Sequence, residues 1–193
     1  SGENFKIVDL NGIINCNLFK KITIGFDPKL FTSNQISKFF DKFNKVKKIS
    51  VNLIDMLHQK KISKCKPFFS LDKKIAGLDH HEKIKAVSNF LKKNKSDYIF
   101  ISASENVAWL LNIRGNDNPY SPIPNSHLLL DSNKNYFLIT DTSNTSKILK
   151  EGKLKKSQIV RPNEFLKLVK KINKKKIIID NKTCSVFYED IFK

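Results

Sequence analysis

Residues 102–125 read SASENVAWLLNIRGNDNPYSPIPN, and the stretch changes character at a glycine. Ser102 and Glu105 have the three-residue spacing of a capping box, in which a serine oxygen and a carboxylate bind each other's backbone N–H groups. The apolar residues that follow predict a short helix. Gly115 stands where a helix can end in a left-handed conformation without a Cβ clash. The three prolines and polar residues after it predict a loop held in one shape.

The rest of the chain alternates between strand and helix patterns. An apolar run at 22–26, a capping box of Thr32 and Gln35 with a helix after it, and a strand at 48–53 predict a βαβ unit with a right-handed crossover. The elements predicted after residue 76 are a helix capped by Asp79, a strand at 98–101, the helix of the quoted stretch, a hairpin of 127–130 with 136–140, a helix at 145–150, a strand at 158–160, a helix through 165–172 and a strand at 177–179. The last strand is continuously apolar, which predicts a central position. This order predicts an α/β fold, a three-layer α/β/α sandwich with a mixed sheet.

Composition limits the class of protein. The 193 residues are enough for one large domain or two small ones, and 40% of them are hydrophobic, including 15 Phe. No apolar run approaches the roughly 20 residues that span a bilayer, and no signal peptide is visible at the N-terminus. The chain has an odd number of cysteines, and they are widely spaced: Cys16, Cys65 and Cys184. This favours buried thiols in a reducing, cytoplasmic compartment.

Between residues 58 and 75 the sequence is rich in lysine and shows neither the helix nor the strand periodicity. This predicts a linker between two domains.

The net charge of +18 raises the question of nucleic acid. Arg114 and Arg161 are the only arginines, so lysine supplies nearly all of the positive charge, and the lysines are spread along the whole chain. Arginine is the usual side chain for clamping phosphate and reading guanine. We therefore interpret the lysines as a solvated surface, and nucleic-acid binding by a stand-alone lysine-rich α/β module remains the alternative hypothesis.

Few other residues indicate chemistry. Residues 79–82 read DHHE, and all four of these residues can bind cations. Adjacent helical positions point about 100° apart, so we interpret these residues as a cap and first turn and predict no metal site. His127 is interpreted as structural and Cys184 as a buried thiol. The sequence therefore predicts no catalytic residue.

The quoted stretch closely resembles the Asp-x-Ile-Ala-Trp-Leu-x-Asn-x-Arg-Gly-x-Asp signature of aminopeptidase P, the Xaa-Pro aminopeptidase family. The matching run is Asn106-Val107-Ala108-Trp109-Leu110-Leu111-Asn112-Ile113-Arg114-Gly115-Asn116-Asp117. Residues 24–28 (IGFDP) and 52–55 (NLID) resemble two further family motifs. Glu105-Asn106 departs from the family's first aspartate, as do Leu57-His58 and Lys61-Ile62 from its Ile-Trp and Arg-Pro.

The resemblance implies a longer parent protein. Enzymes of this family, like creatinase and prolidase, carry catalysis on a C-terminal pita-bread domain that binds two divalent metals, usually Mn²⁺. That domain is absent here. Residues 1–57 are then expected to be the C-terminal part of a first N-terminal α/β domain, 58–75 a linker, and 76–193 a second, creatinase N-terminal-like domain. We expect no cofactor in this chain, no peptidase activity from it alone, and a non-catalytic role in shaping substrate access and assembly.

The same resemblance implies partners and site residues. The partners are the protein's own catalytic domain and peptides with proline in second position, and the resemblance is compatible with a homo-oligomeric parent. Trp109 is interpreted as a core residue, and its alternative role at the rim of the substrate pocket comes only from the resemblance. Arg114 and Asp117 either pair with each other and brace the loop or lie at the pocket rim; both readings stay open.

Overall fold

The structure divides into two compact units. It is a computed structural model, which describes residues 7, 9, 12, 20–42, 44–57, 66–116 and 120–193. The first unit contains Ser1–Lys61 and Ser185–Asp190, and the second contains Ile62–Cys184 and Ile191–Lys193. None of the described helices is long and apolar enough to cross a membrane.

The first unit contains the βαβ motif that the sequence predicts. Strands β1 (Thr23–Phe26) and β2 (Lys45–Lys48) pair in parallel. Between them lies helix α1 (Ser33–Ile36), which continues as a π-helical turn, Ser37–Asp41. Thr32 caps α1 and forms the predicted capping box with Gln35. Local side-chain chemistry therefore places the start of this helix correctly.

The predicted strand at 48–53 is wrong, because the strand ends where the prediction begins. The chain leaves the ladder after residue 48 and begins helix α2, Leu53–Leu57. Asn52 Oδ1 accepts a hydrogen bond from Ile54 N at 2.9 Å. This cap satisfies an N–H group at the helix start and turns the chain out of the strand conformation.

Residues 185–190 belong to the first unit, although the sequence analysis assigned them to the second domain. They open the last helix, α8 (Val186–Phe192). Val186 N donates to Phe31 O at 2.9 Å and Phe187 N donates to Pro28 O at 2.8 Å. Long-range backbone pairing, which sequence periodicity does not reveal, decides this assignment.

The second unit is built on a five-stranded mixed sheet. Its strands are β4 (Tyr98–Ile101), β6 (His127–Asp131), β7 (Tyr136–Ile139), β8 (Ile159–Val160) and β9 (Ile177–Ile179). Their order is β8-β7-β6-β4-β9, with β6 antiparallel to both neighbours and the two outer pairs parallel. A separate two-stranded ladder joins β3 (Phe69–Ser70) to β5 (Ile113–Arg114).

Helices cover both faces of this sheet. Alternate strand residues point to opposite faces, and Ile99, Ile101, Leu128 and Leu130 pack into the main core on one of them. The helices of that face are α4 (His80–Lys93), α5 (Ser104–Leu111) and α6 (Ser146–Lys150), with the short α3 (Lys73–Ala76) preceding them. On the opposite face the Phe100 ring stacks on Phe165 of α7 (Phe165–Lys171) at 5.4 Å between centroids. The predicted three-layer α/β/α sandwich with a mixed sheet is confirmed.

Two details of the second unit differ from the prediction. Strand β9 lies at the edge of the described sheet and not at its centre, and its isoleucines are only half-buried because β4 is their single neighbouring strand. Within the described part of the predicted linker, residues 66–75, the stretch 68–71 packs into the second unit, whereas residues 66–67 and 72–75 are exposed. Phe68 is fully buried and its N–H donates to Asn144 O at 2.7 Å. The remainder of that linker, residues 58–65, lies outside the described residues.

Candidate functional site

Helix α5 carries the signature stretch, and its two ends differ from the predicted caps. Its N-cap is Ala103, without a side-chain hydrogen bond, so the Ser102–Glu105 capping box is wrong. Ser102 Oγ is instead 2.7 Å from Thr183 Oγ1. At the other end Asn112 adopts the left-handed conformation, with φ 51° and ψ 44°, three residues before the predicted Gly115. Asparagine tolerates this conformation better than other residues with a Cβ.

Gly115 is required for a different reason. Its N–H donates to Pro122 O at 3.1 Å, which closes the proline-rich loop on itself. A Cβ at this position would lie 2.7 Å from Pro124 Cα, which is backbone and cannot rotate away. Glycine therefore permits the close approach of the two ends of the loop.

A buried lysine that the sequence analysis missed holds the end of α5. Lys83 is only 3% exposed, and its Nζ donates to Trp109 O at 2.8 Å and to Asn112 Oδ1 at 2.6 Å. A cation at a helix C-terminus interacts favourably with the helix dipole. Burial lowers the pKa of Lys83, and the positive charge of Arg114 lowers that pKa further, while Asp79 opposes both effects. The sequence does contain a signal for the burial of Lys83, because this residue lies on the same apolar stripe of α4 as Ile84, Val87 and Leu91.

Arg114 contacts the same helix end. Its Nη1 donates to Ala108 O at 3.1 Å and to Ile113 O at 2.8 Å. Two cations therefore donate to backbone carbonyls at the C-terminal end of α5, of which Ala108 O and Trp109 O also accept from the Asn112 N–H. Asp117, the third predicted site residue, lies outside the described residues, so its pairing with Arg114 stays a prediction. We call Lys83, Trp109, Asn112, Arg114 and Gly115 the α5 rim.

Trp109 does not pack in the core. It is 56% exposed, and its indole ring lies against the Lys83 ammonium, with Nζ 4.3 Å from the ring centroid. Trp109 also lines a cleft of about 280 Å³, whose walls are mostly apolar side chains of α4, α5, β4 and β9. The core interpretation is wrong because Trp109 lies on the exposed side of α5, together with Glu105 and Asn106.

The Asp79 cluster forms the start of helix α4. Ligand atoms of Asp79, His80 and His81 lie within 4.8 Å of one another, closer than helical divergence alone predicts. Asp79 is the predicted cap of α4: it accepts from His81 N at 2.8 Å and also forms a capping box with Glu82. Lys153 Nζ lies 2.9 Å from His80 Nδ1. Burial lowers the pKa of His80 to about 4, with Lys153 as the next cause.

The remaining predicted residues have structural roles. His127 Nδ1 lies 2.8 Å from Ser102 O, and its ring packs on Phe100. Burial lowers the pKa of His127, and the hydrogen bond to Ser102 opposes this effect. Cys184 is fully buried, as predicted. Cys16, Cys65 and His58 lie outside the described residues.

Comparison with known proteins identifies the family. The family model described as "Creatinase/Prolidase N-terminal domain" matches residues 59–193, which include the α5 rim and the whole mixed sheet. The chain belongs to this family. Its creatinase-type fold is the one that the quoted stretch predicted.

Two of the relatives are named as Xaa-Pro aminopeptidases. The chain is 32% identical over 155 residues to a probable Xaa-Pro aminopeptidase P of Pyricularia oryzae, covering 75% of this chain and 24% of that protein. It is 34% identical over 112 residues to an Xaa-Pro aminopeptidase of Caenorhabditis elegans, covering 55% of this chain and 18% of that protein. The chain thus spans a quarter or less of the length of these relatives.

A solved structure shares the fold. It is an X-prolyl aminopeptidase from Caenorhabditis elegans, described as a cytosolic enzyme with a di-nuclear active site. The TM-score is 0.71 at 24% sequence identity, and the match covers 92% of this chain and 31% of that chain. These comparisons give no support to the nucleic-acid alternative.

Proposed function

We propose that this creatinase-type chain is the non-catalytic N-terminal region of an Xaa-Pro metalloaminopeptidase, where it shapes substrate access and assembly. The observation that carries the proposal is the family match over residues 59–193, together with a relative named probable Xaa-Pro aminopeptidase P that is about four times as long as the segment it shares with this chain. The parent enzyme would release the N-terminal residue that precedes proline.

Catalysis belongs, in this proposal, to a domain outside this sequence. Within the described residues the Asp79–His81 cluster is the one group with metal-ligand spacing, and its cap and its Lys153 contact do not fit a two-metal centre. Two divalent ions, Mn²⁺ by the family resemblance, would supply an activated hydroxide in the catalytic domain. The described neighbour with a di-nuclear active site supports this arrangement.

The α5 rim is the part of this chain best suited to meet that domain. Trp109 presents a large, half-exposed aromatic surface, and the backbone around it is held by Lys83 and Arg114. Aromatic side chains fixed at a surface are common anchors of interfaces. We therefore propose Trp109, Arg114 and Asp117 as rim residues of the substrate pocket. The proposed partners are the chain's own catalytic domain and peptides with proline in second position. We place the parent enzyme in the cytoplasm, and the proposal is compatible with a homo-oligomeric parent.

Replacing Arg114 by lysine in the full-length enzyme tests the rim. We expect kcat/KM for an Xaa-Pro peptide to fall about tenfold, since a lysine lacks the planar fork that binds a carboxylate at two points. The melting temperature should change little, because lysine can still donate to one of the two carbonyls of α5. Arg161→Lys is the matched control, as Arg161 is the other arginine and forms an exposed pair with Glu164. A lowered melting temperature with normal activity in the folded fraction would assign Arg114 to the scaffold instead.

The 193-residue chain by itself is expected to retain no stoichiometric Mn²⁺ and to cleave no Xaa-Pro peptide. The physical reason is that two-metal hydrolysis needs several carboxylates and a histidine converging on one site. Metal analysis after dialysis, with a peptide hydrolysis assay on the same sample, measures both properties. Retention of about two ions per chain together with hydrolysis would contradict the proposed division of labour.

A further inference from the structure

Lys83 is buried in a chain whose other lysines are mostly exposed. It is 3% exposed, and no other lysine in the described part of the chain is as buried. Lysine is almost never fully buried unless its ammonium group is paired. Such a position therefore has a specific set of partners.

Those partners are all groups at the end of α5. The Lys83 ammonium donates to Trp109 O and to Asn112 Oδ1, and it stands 4.3 Å from the centroid of the Trp109 ring. Asn112 Nδ2 in turn donates to Leu78 O at 2.8 Å, just before α4 begins. One ammonium group thus contacts both the backbone and the side chain of the tryptophan and links the start of α4 to the end of α5.

The ring contact distinguishes this lysine from an ordinary helix cap. A cap needs only the carbonyl contacts, which any flexible lysine at the surface can supply. A cation over the face of an indole is attracted by the electron-rich ring and restrains its orientation. Trp109 nevertheless stays 56% exposed. An aromatic side chain that is restrained and exposed is pre-organised for contact, because less conformational entropy is lost on binding.

We propose that Lys83 is a positioning residue, whose ammonium group fixes the Trp109 indole at the surface and so presets the α5 rim before a partner domain or peptide arrives. The identity of what meets the rim rests on the proposed function, whereas the restraint itself does not. Burial lowers the pKa of Lys83, as expected for an amine removed from water, and the charge of Arg114 lowers it further.

Trp109 is the only tryptophan in the chain, so indole spectroscopy reports this one side chain. In the 193-residue chain, Lys83→Met and Lys83→Gln should lose the indole band of the near-UV circular dichroism spectrum. They should also gain fast local rotation in the fluorescence anisotropy decay. Lys83→Gln retains a hydrogen-bond donor without the charge, and Lys83→Arg retains the charge and should keep the wild-type signals. Lys85→Met, an exposed lysine on the same helix, is the matched control.

Unchanged indole signals in folded Lys83→Met and Lys83→Gln would overturn the proposal. If neither variant folds, the anisotropy decay of the wild-type chain tests the proposal. A decay without a fast local component supports a restrained indole, and a decay dominated by a fast component overturns the proposal.

Kinetics of the full-length enzyme separate this inference from the proposed function. If the Lys83 variants release the indole while Trp109→Ala leaves kcat/KM unchanged, the positioning role stands and the rim function falls. If the Lys83 variants leave the indole restrained while Trp109→Ala lowers kcat/KM, the rim function stands and the positioning role is overturned. We expect Lys83→Gln to release the indole and to lower kcat/KM. We expect Lys83→Arg to keep both the restraint and the wild-type kcat/KM.

Discussion

Replacing Phe100 by alanine is expected to lower the free energy of unfolding of the second unit by about 3–5 kcal/mol. Phe100 lies in β4 and is 1% exposed. Its ring contacts Phe165 at 5.4 Å and Phe192 at 5.0 Å between centroids, and it packs on His127 at 5.7 Å. Truncation to alanine removes these contacts and leaves a cavity that strands β6 and β9, on either side, hinder from collapsing.

Urea unfolding followed by tryptophan fluorescence measures this effect. The signal reports the second unit, because Trp109 is the only tryptophan and lies there. Phe90→Ala is the matched control, since Phe90 is 50% exposed on α4 and should cost less than about 1 kcal/mol. Equal losses for the two variants would contradict the assignment of Phe100 to the packed layer between β4 and α7.

Acidification is expected to destabilise the second unit between pH 6.5 and about pH 4 through His80. Burial, followed by the charge of Lys153, lowers the pKa of His80 from 6.5 to about 4 in the folded protein. The unfolded chain therefore binds a proton in this window that the folded protein does not bind. The resulting stability is fully present above pH 6.5 and is lost as the pH falls through the folded pKa, by on the order of 3 kcal/mol.

The charged and titratable groups that face His80 are Asp79, His81 and Lys153, and each of them affects the pKa of His80. A test variant must therefore remove the titration of His80 itself. His80→Gln retains an acceptor for Lys153 and removes the titration, so most of the loss between pH 6.5 and 4 should disappear. His81→Gln is the matched control, since His81 is the exposed neighbour. The lowered pKa of His127 contributes in the same direction and leaves a smaller residual slope. An unchanged slope in His80→Gln would place the acid sensitivity elsewhere.

Caps that involve neighbouring residues alone were predictable. The predicted Thr32–Gln35 capping box and the predicted Asp79 cap are both present. The Ser102–Glu105 box has the same spacing but does not form, because Ser102 Oγ lies 2.7 Å from Thr183 Oγ1, which is 81 residues away along the chain. A sequence pattern states which local bonds are available, and a distant partner decides whether they form.

The candidate site also depends on contacts between distant residues that the sequence pattern does not show. The resemblance singled out Trp109 and Arg114, and the structure places both at the C-terminal end of α5. Lys83 was missed because a lysine on the apolar stripe of a helix is usually interpreted as a solvated residue whose stem covers the core. Its partners Trp109 and Asn112 are 26 and 29 residues away. Only the packing of α4 against α5 brings them together.

The sequence by itself determined the alternation of strands and helices, the α/β class, two of the helix caps and the family. These properties depend on residue types and on spacings of a few residues. Over such spacings the side-chain period of 2.0 residues indicates a strand, the period of 3.6 residues indicates a helix, and capping residues mark helix ends. The tertiary structure alone decided the edge position of β9, the exposure of Trp109, the burial of Lys83 and the placement of residues 185–190. Each of these depends on contacts between segments far apart in the chain, because burial and hydrogen-bond partners are set by packing, which local patterns do not encode.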